Sequence, residues 1–334
     1  MEGIKITFAG TGVQAGSGVN AFVSVGQEAT YASAGTEQYP GLITECSITR
    51  EDTINENRGI NNLRTINSQT RVATRYPVRL SGEVDCGIPL AMAMGGIDGA
   101  ADPMLHIFKG SEHVAPAKYY LPSWTVYRTY DETSDHDLNI LGVTWDTGDF
   151  NIDLDGPFTF SLDGVGQGQG TTASTAQTGP ATGLGSWNTV VKVLEGTAAY
   201  ATSSAVTIDG LKNIGFTINN NLTIRNKWTG AQIRQAVPGN ADVELRLTRG
   251  AIDDDLWIDL CTGSVHSFEV ALTDSYNILD IEFDSCFSKT AAHTTTMEDQ
   301  SDETVSFSVK TMTCDVTEAF DQTDTGITYL DWYD

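Results

Sequence analysis

The chain has 334 residues and a formal net charge of −25 at pH 7, from 19 basic and 44 acidic side chains. A length of this order corresponds to about two domains, each large enough to bury its own core, and no apolar run approaches the ~18 residues a membrane-spanning helix needs. The charge excludes the binding mode in which Lys and Arg neutralise nucleic-acid phosphates.

The acidity is shared. Residues 1–170 carry 10 basic and 21 acidic side chains, and residues 171–334 carry 9 and 23. Asp outnumbers Glu by 28 to 16 and Arg outnumbers Lys by 11 to 8, which fits either a salt-tolerant surface kept soluble by charge or an ordinary acidic protein. Gly, Thr, Ser and Asn are frequent and long 3.6-periodic stretches are scarce, so the chain reads as mostly β. The cysteines stand at 46, 86, 261, 286 and 314, an odd number without a C-x-x-C pair. The start, Met1-Glu-Gly-Ile-Lys, lacks the basic and apolar segments of a secretion leader, and buried thiols in a reducing cytoplasm are expected.

In chain order, residues 1–20 read as an N-terminal arm in which Ile4–Phe8 can pair as an edge strand. Gly10-Thr-Gly12 and Gly16 follow it, but a dinucleotide loop needs a helix opening at the glycines. The next residues, Gly18–Val25, show another strand pattern instead. A first domain spans 21–163. Phe22–Val25 is a strand, and Thr44–Ile54 and Ala73–Val84 form a long ribbon whose alternation separates Tyr76, Val78 and Leu80 from Arg79, Ser81 and Glu83. Pro89 suits a first helical turn, so Ile88–Met94 is a short helix ended by Gly95-Gly96. Strands are expected at Trp124–Tyr130, Asn139–Thr144, Phe150–Leu154 and Pro157–Leu162. Residues 164–186 are Gly-, Thr-, Ala- and Gln-rich and read as a flexible linker.

A second domain, 187–314, restates the first, with strands at Thr189–Leu194, Ile214–Ile224, Ala241–Thr248, Ser267–Leu272, Asn277–Phe283 and Thr304–Met312. Asp253-Asp-Asp255 caps a short helix at Leu256–Cys261. Residues 315–334 form a C-terminal arm ending in an aromatic patch. The restatement is residue by residue. Ile48–Ile54 answers Phe216–Ile224, Ile60-Asn-Asn-Leu-Arg64 answers Gly230-Ala-Gln-Ile-Arg234, and Tyr76, Val78 and Leu80 answer Val243, Leu245 and Leu247. Ser123–Val126 parallels Ser267–Val270, Asn139–Asp146 parallels Asn277–Asp284, and Phe158–Leu162 parallels Val305–Val309. One long duplication, not a short-period solenoid, accounts for collinear matches of this kind.

Catalytic and metal-binding constellations do not stand out. The clusters Asp131–Asp137 and Asp149–Asp155 are oxygen-rich but lack EF-hand spacing, and solvated acidic loops explain them as well. The histidines at 106, 113, 136, 266 and 293 have no ligand-like spacing, and acids are too abundant to single out a glycosidase couple. Asn221-Leu-Thr223 fits the glycosylation pattern. No catalytic, cofactor-binding or metal-binding residue is therefore assigned.

A duplicated β domain with long polar ribbons and extended arms has the character of an assembly unit, because open sheet edges are satisfied by joining neighbours. Gly26-Gln-Glu-Ala-Thr-Tyr31-Ala-Ser resembles the G-x-E-x-T-Y-G-T opening of the tail tube (major tail) proteins of tailed bacteriophages and archaeal viruses, departing from it at Ala32. Asn57-Arg58-Gly59 resembles the R-G that begins that family's polar loop, and Leu80-Ser-Gly82-Glu-Val84 resembles its return strand. The resemblance implies two tandem β-sandwich or small-barrel domains, each with a short helix and a long β-ribbon. It further implies a structural, non-enzymatic subunit of a virion tail, assembled in the host cytoplasm into stacked rings around a channel for genome passage. DNA would pass without specific binding, and the partners would be further copies and other tail proteins, with no membrane and no cofactor. Family rings commonly hold six domains, so a trimeric pseudo-sixfold ring is favoured over a hexamer with one domain of each chain outside. Lumen-facing candidates are Thr217, Asn219, Glu244 and Thr248. Inter-ring candidates are Arg58, Ile60, Leu63, Arg64, Trp228, Ile233 and Arg234, a mixture of Arg with large apolar side chains that suits interfaces. The alternatives are another virion structural β protein, at the distal tail or capsid surface, and a glycan-binding β protein.

Overall fold

Alternating apolar and polar side chains make almost every described segment a strand. The computed structural model describes residues 22–28, 30–57, 68–94, 97–98, 105–109, 121–129, 138–170, 189–195, 206–224, 236–250, 263–273, 277–294 and 302–318. The first half runs β1 (Phe22–Gln27), β2 (Leu42–Ile48), β3 (Glu51–Asn57), β4 (Ser68–Glu83), α1 (Ile88–Met94), β5 (Ile97–Asp98), β6 (Leu105–Lys109), β7 (Trp124–Thr129), β8 (Leu138–Asp153), β9 (Phe158–Gly166) and β10 (Gly168–Gly170). The second runs β11 (Thr189–Glu195), β12 (Val206–Thr207), β13 (Leu211–Asn219), β14 (Asp242–Gly250), β15 (Val265–Thr273), β16 (Asn277–Thr294), β17 (Asp302–Val309) and β18 (Thr311–Glu318).

Both halves share one antiparallel pairing scheme built around a single long strand. The first part of β8 lies between β7 and β10, with β1 beyond β7, and its second part pairs with β9, which leads to β4 and then β2. In the same way β16 first lies between β15 and β18, with β11 beyond β15, then pairs with β17, which leads to β14 and β13. The irregularities coincide too. Register shifts at Ile43/Glu45, Trp124/Val126 and Trp145/Thr147 recur at Leu211/Asn213, His266/Phe268 and Ser288/Thr290. Gly142 (φ 68°) has its counterpart in Ser285 (φ 53°), and the Ser81–Ser161 hydroxyl contact of 3.2 Å recurs as Thr248–Thr304 at 3.0 Å.

The ladders therefore align Ile48 with Phe216 and Leu80 with Leu247, as the sequence match has them. Further along they correct it. Ser267 aligns with Thr125 instead of Ser123, Asp284 with Leu141 instead of Asp146, and Val305 with Leu162 instead of Phe158. A strand pattern repeats every two residues, so it matches itself at several offsets, and each bulge adds one residue that the pattern does not announce.

Element bounds differ in informative places. The ribbon's outgoing strand divides at Thr49-Arg50, where Thr49 N donates to Pro77 O (3.0 Å). Two strands expected in 139–154 are the one strand β8, and Thr304–Met312 is broken at Lys310. Residues 164–166 and 168–170, expected in the linker, lie within β9 and β10, and β18 carries the sheet through 315–318 at the start of the expected C-terminal arm. The helix matches its expected bounds, and all its residues are buried. Its second-half counterpart at Leu256–Cys261 and both arms' remaining residues fall outside the described residues. Among those residues no helix is long and apolar enough to cross a membrane.

The two halves share sheet as well as core. β13 pairs along its full length with the second part of β8, Phe216 opposite Phe150, and β6 of the first half extends the second-half sheet beside β18. One core cluster runs from Val25 through Trp124, Trp145, Phe150 and Phe158 to Phe216, Phe283 and Phe307.

Candidate assembly surface

The strand order β2–β4–β9–β8–β13–β14–β17–β16 is one continuous antiparallel belt across both halves. One face is apolar and buried: Leu80, Leu162, Phe150, Phe216, Leu245 and Phe307 are each at most 3% exposed. By alternation the other face is polar, carrying Glu45, Glu83, Asp149, Asp153, Asp163, Asp242 and Glu244 against Arg79, Arg246 and Lys289. Carboxylates outnumber cations there, as in the whole chain.

All four residues expected to face a channel lie on this polar face, half-buried. Thr217 donates to Asp149 (2.5 Å) across the β13–β8 ladder, Lys289 binds Glu244 at 2.7 Å, and Thr248 meets Thr304. Asn219 Oδ1 accepts from Asn221 N (2.9 Å) at the end of β13. Asp149 and Asp153 thus serve the joint between halves, Asp153 by accepting from Asn213. Among the described residues no group of three or more His, Cys, Asp or Glu is placed to hold a metal. The cluster 131–137 lies outside them. The Asn221 amide, read as a glycosylation acceptor, is turned into its own loop, donating to Asn240 O (2.8 Å) and Asp242 Oδ2 (2.9 Å). None of Cys46, Cys86, Cys286 and Cys314 forms a disulfide, while His266 is buried against Phe268 and Phe307.

Beyond Glu51 the ribbon leaves the belt. β3 pairs with Ser68–Arg75 of β4 as a two-stranded projection whose Ile54 and Val72 are 52% and 44% exposed. Arg75 holds Glu51, and Arg50 and Arg71 flank Asp52; the Thr74 hydroxyl, first, and then these guanidiniums hold the Asp52 carboxyl below its ordinary range. Two strands alone are marginal in water, so a projection with bare apolar side chains suits contact with a neighbour. Arg58, Ile60, Leu63 and Arg64, and likewise Trp228, Ile233 and Arg234, lie outside the described residues.

On the opposite sheet of the second half, Asp280 stands across from Asp315. Burial, then Glu269 and Asp315, push its pKa up to about 6, while Lys192, bonded to Glu269 at 3.1 Å, acts in the other direction.

The opening motif has a physical role that its sequence alone did not reveal. Glu28 is fully buried, and its carboxylate accepts from Ser123 Oγ (2.7 Å), Thr125 Oγ1 (2.8 Å), Ala32 N (2.8 Å) and Gly142 N (2.8 Å). It ties the turn after β1 to β7 and to the bulge of β8. Gly26 lets the backbone of Gly35 and Thr36 fold back onto β1, since a Cβ there would lie 2.6 Å from Thr36 O. Ala32, where the motif has Gly, sits at φ 59°, a left-handed conformation costing an L-residue about 1–2 kcal/mol. Ala32→Gly is therefore expected to stabilise the chain by up to about 1 kcal/mol after Gly's own entropy cost, measured as a raised urea midpoint with unchanged slope.

The sequence model described as "Phage tail tube protein" matches residues 18–311. No curated protein matches the chain. Among solved structures, a chain of the cryo-EM anti-feeding prophage (AFP) baseplate, 6-fold symmetrised, aligns over 43% of this chain and 99% of its own, at 9% identity and a TM-score of 0.33.

Proposed function

Because the chain belongs to the phage tail tube protein family and is thereby a structural component of a virion tail, we propose that its copies close into rings whose belts form one barrel around a channel, and that the rings stack into a tube. The observation that carries this reading is the continuous belt, buried on one face and acidic on the other, with an edge at each end that no described residue pairs. Two such edges on one molecule can be satisfied by joining to further copies, and a head-to-tail contact of this kind closes when its rotation divides a full turn.

Geometry favours three chains. Each contributes the eight belt strands named above. At ~4.8 Å per strand and ~40° tilt, three belts close at a diameter of about 48 Å, and lining side chains of ~5 Å leave a bore of about 38 Å. The hexameric alternative, with one half of each chain outside the ring, would have to break the β8–β13 ladder. The matching bulges of the two halves support their origin by duplication, so the ring is pseudo-sixfold. Thr217, Asn219, Glu244 and Thr248 face the bore, and the net negative wall lets a genome pass without holding its phosphates. The β3–β4 projection, with Arg58, Ile60, Leu63 and Arg64 at its tip, and the loop of Trp228, Ile233 and Arg234 contact the adjoining ring. Other tail proteins meet the tube's ends.

Electron microscopy of the purified protein in high and low salt tests this. Stacked rings with a pore and threefold class averages are expected. A ring of six chains would overturn the stoichiometry, and a persistent monomer in both salts would overturn the ring reading.

A further inference from the structure

The joint between chains can be located from the joint inside one. β13 has two partners, β14 and β8, whereas among the described residues its counterpart in the first half, β2 and the residues leading into β3, has only β4. The second part of β8 likewise has two partners, β9 and β13, whereas beyond Phe287 its counterpart in β16 has only β17 among the described residues. Each end of the belt thus carries one unoccupied half of the joint that its middle carries complete. Resting on the ring reading above, we propose that the partner of these edges is a second copy of this chain, and that Ser47–Glu51 of one copy pairs antiparallel with Thr290–Thr294 of the next in the register of the internal ladder.

The ladder fixes that register. Thr217 opposite Asp149 becomes Thr49 opposite Ala292, Phe216 opposite Phe150 becomes Ile48 opposite His293, and Ile218 opposite Gly148 becomes Arg50 opposite Ala291. Three independent features agree with it. Gly215, Ile218 and Gly148 of the complete joint are buried and Thr217 and Thr147 half-buried, while their counterparts Ser47, Arg50, Ala291, Thr49 and Thr290 are all exposed although they lie in or beside strands. The Thr49 amide is committed to Pro77 O, so by antiparallel alternation those of Ile48 and Arg50 point to the open edge; these match the inter-half hydrogen bonding of β13, where Asn220 N donates to Asp146 O. Finally, Thr290-Ala-Ala-His-Thr294 is an uncharged run in a chain of net charge −25, and exposed edges that must stay single usually carry charge or proline.

Thr49 and Ala292 fall at a non-hydrogen-bonded pair on the exposed face, where Cβ atoms are close enough for a disulfide. The full chain carrying Thr49→Cys and Ala292→Cys, oxidised and run without reductant, is expected to give covalent dimers and trimers that reductant dissolves. Thr49→Cys with Ala291→Cys, whose second side chain points to the other face, and the unaltered chain give neither. Rings by electron microscopy without cross-linking in the Thr49/Ala292 pair would overturn this joint and leave the ring reading intact; a folded chain that forms no rings would overturn the ring reading itself. Arg50→Pro provides a second arm, since it blocks the open edge without taking an amide from the β4 ladder. It is expected to abolish ring formation with an unchanged circular dichroism spectrum and melting temperature, and rings at the unaltered level would place the joint elsewhere.

Discussion

Glu28→Ala is expected to be among the most damaging single changes in the first half, lowering its thermal midpoint by about 10 °C or more. The carboxylate is 0% exposed and accepts four hydrogen bonds, two from hydroxyls and two from backbone amides. Removing it strands four donors in the protein interior, at about 1–3 kcal/mol for each that water cannot reach. Partial relaxation brings the total to about 4–5 kcal/mol, and about 2–4 °C per kcal/mol gives the shift for a unit of this size. Glu28→Gln keeps the volume and one oxygen but sets an NH2 against one backbone N–H and one hydroxyl, of which only the hydroxyl can turn to accept, so it recovers only part of the loss. Glu56→Gln, on the exposed ribbon beside Gln69, serves as the control and is expected to change stability by less than about 0.5 kcal/mol. Differential scanning calorimetry of the three variants checks the ranking; equal midpoints for Glu28→Ala and Glu56→Gln would mean that the Glu28 site collapses without cost.

How far the sequence carries depends on whether a feature is written in side chains or in backbone. The helix at Ile88–Met94 was legible because Pro89 and Gly95-Gly96 punctuate an apolar run. The ribbon correspondences Ile48 with Phe216 and Leu80 with Leu247 were legible because the alternating runs there match in register. Beyond Trp124 the same method slipped by two, five and four residues, since the stretch from Leu80 to Thr125 is longer than its counterpart from Leu247 to Ser267, so that no common offset carries across it, and an alternating pattern then matches itself at several positions. The polar face could be assigned for Thr217, Asn219, Glu244 and Thr248, because alternation alone determines it. What covers the ribbon's edge could not: β13 reaches β8 through backbone amides and carbonyls, which every residue but proline carries alike. Glu28 was visible as a motif letter, but among 44 acidic residues nothing distinguished a buried anchor from a solvated charge.

Phe216→Ala is expected to uncouple the halves. Its ring stacks on Phe150 (centroids 4.8 Å apart, 12° between planes), meets Phe283 edge-on at 5.4 Å and lies 6.3 Å from Phe158. Phe150 and Phe158 belong to the first half and Phe283 to β16 of the second, so one side chain of β13, 1% exposed, fills the core on both sides of the joint. Truncating a buried Phe costs about 3–5 kcal/mol, and the lost ring pairs place this site at the upper end of that range. Because the loss falls on the contact between halves, the calorimetric transition is expected to broaden or divide in two as well as to move down. Ile48 provides the comparison. It is the counterpart of Phe216 at the open end of the belt and is only half-buried in the single chain, so Ile48→Ala costs the isolated chain about 1 kcal/mol, in keeping with its partial burial. Its larger effect falls on assembly, where the next copy would bury it as β8 buries Phe216. Phe216→Ala is thus read in the melting curve of the chain and Ile48→Ala in the fraction of chains found in rings. Equal destabilisation of the isolated chain by both would mean that the β2 edge is already covered, and that the belt is closed within one molecule.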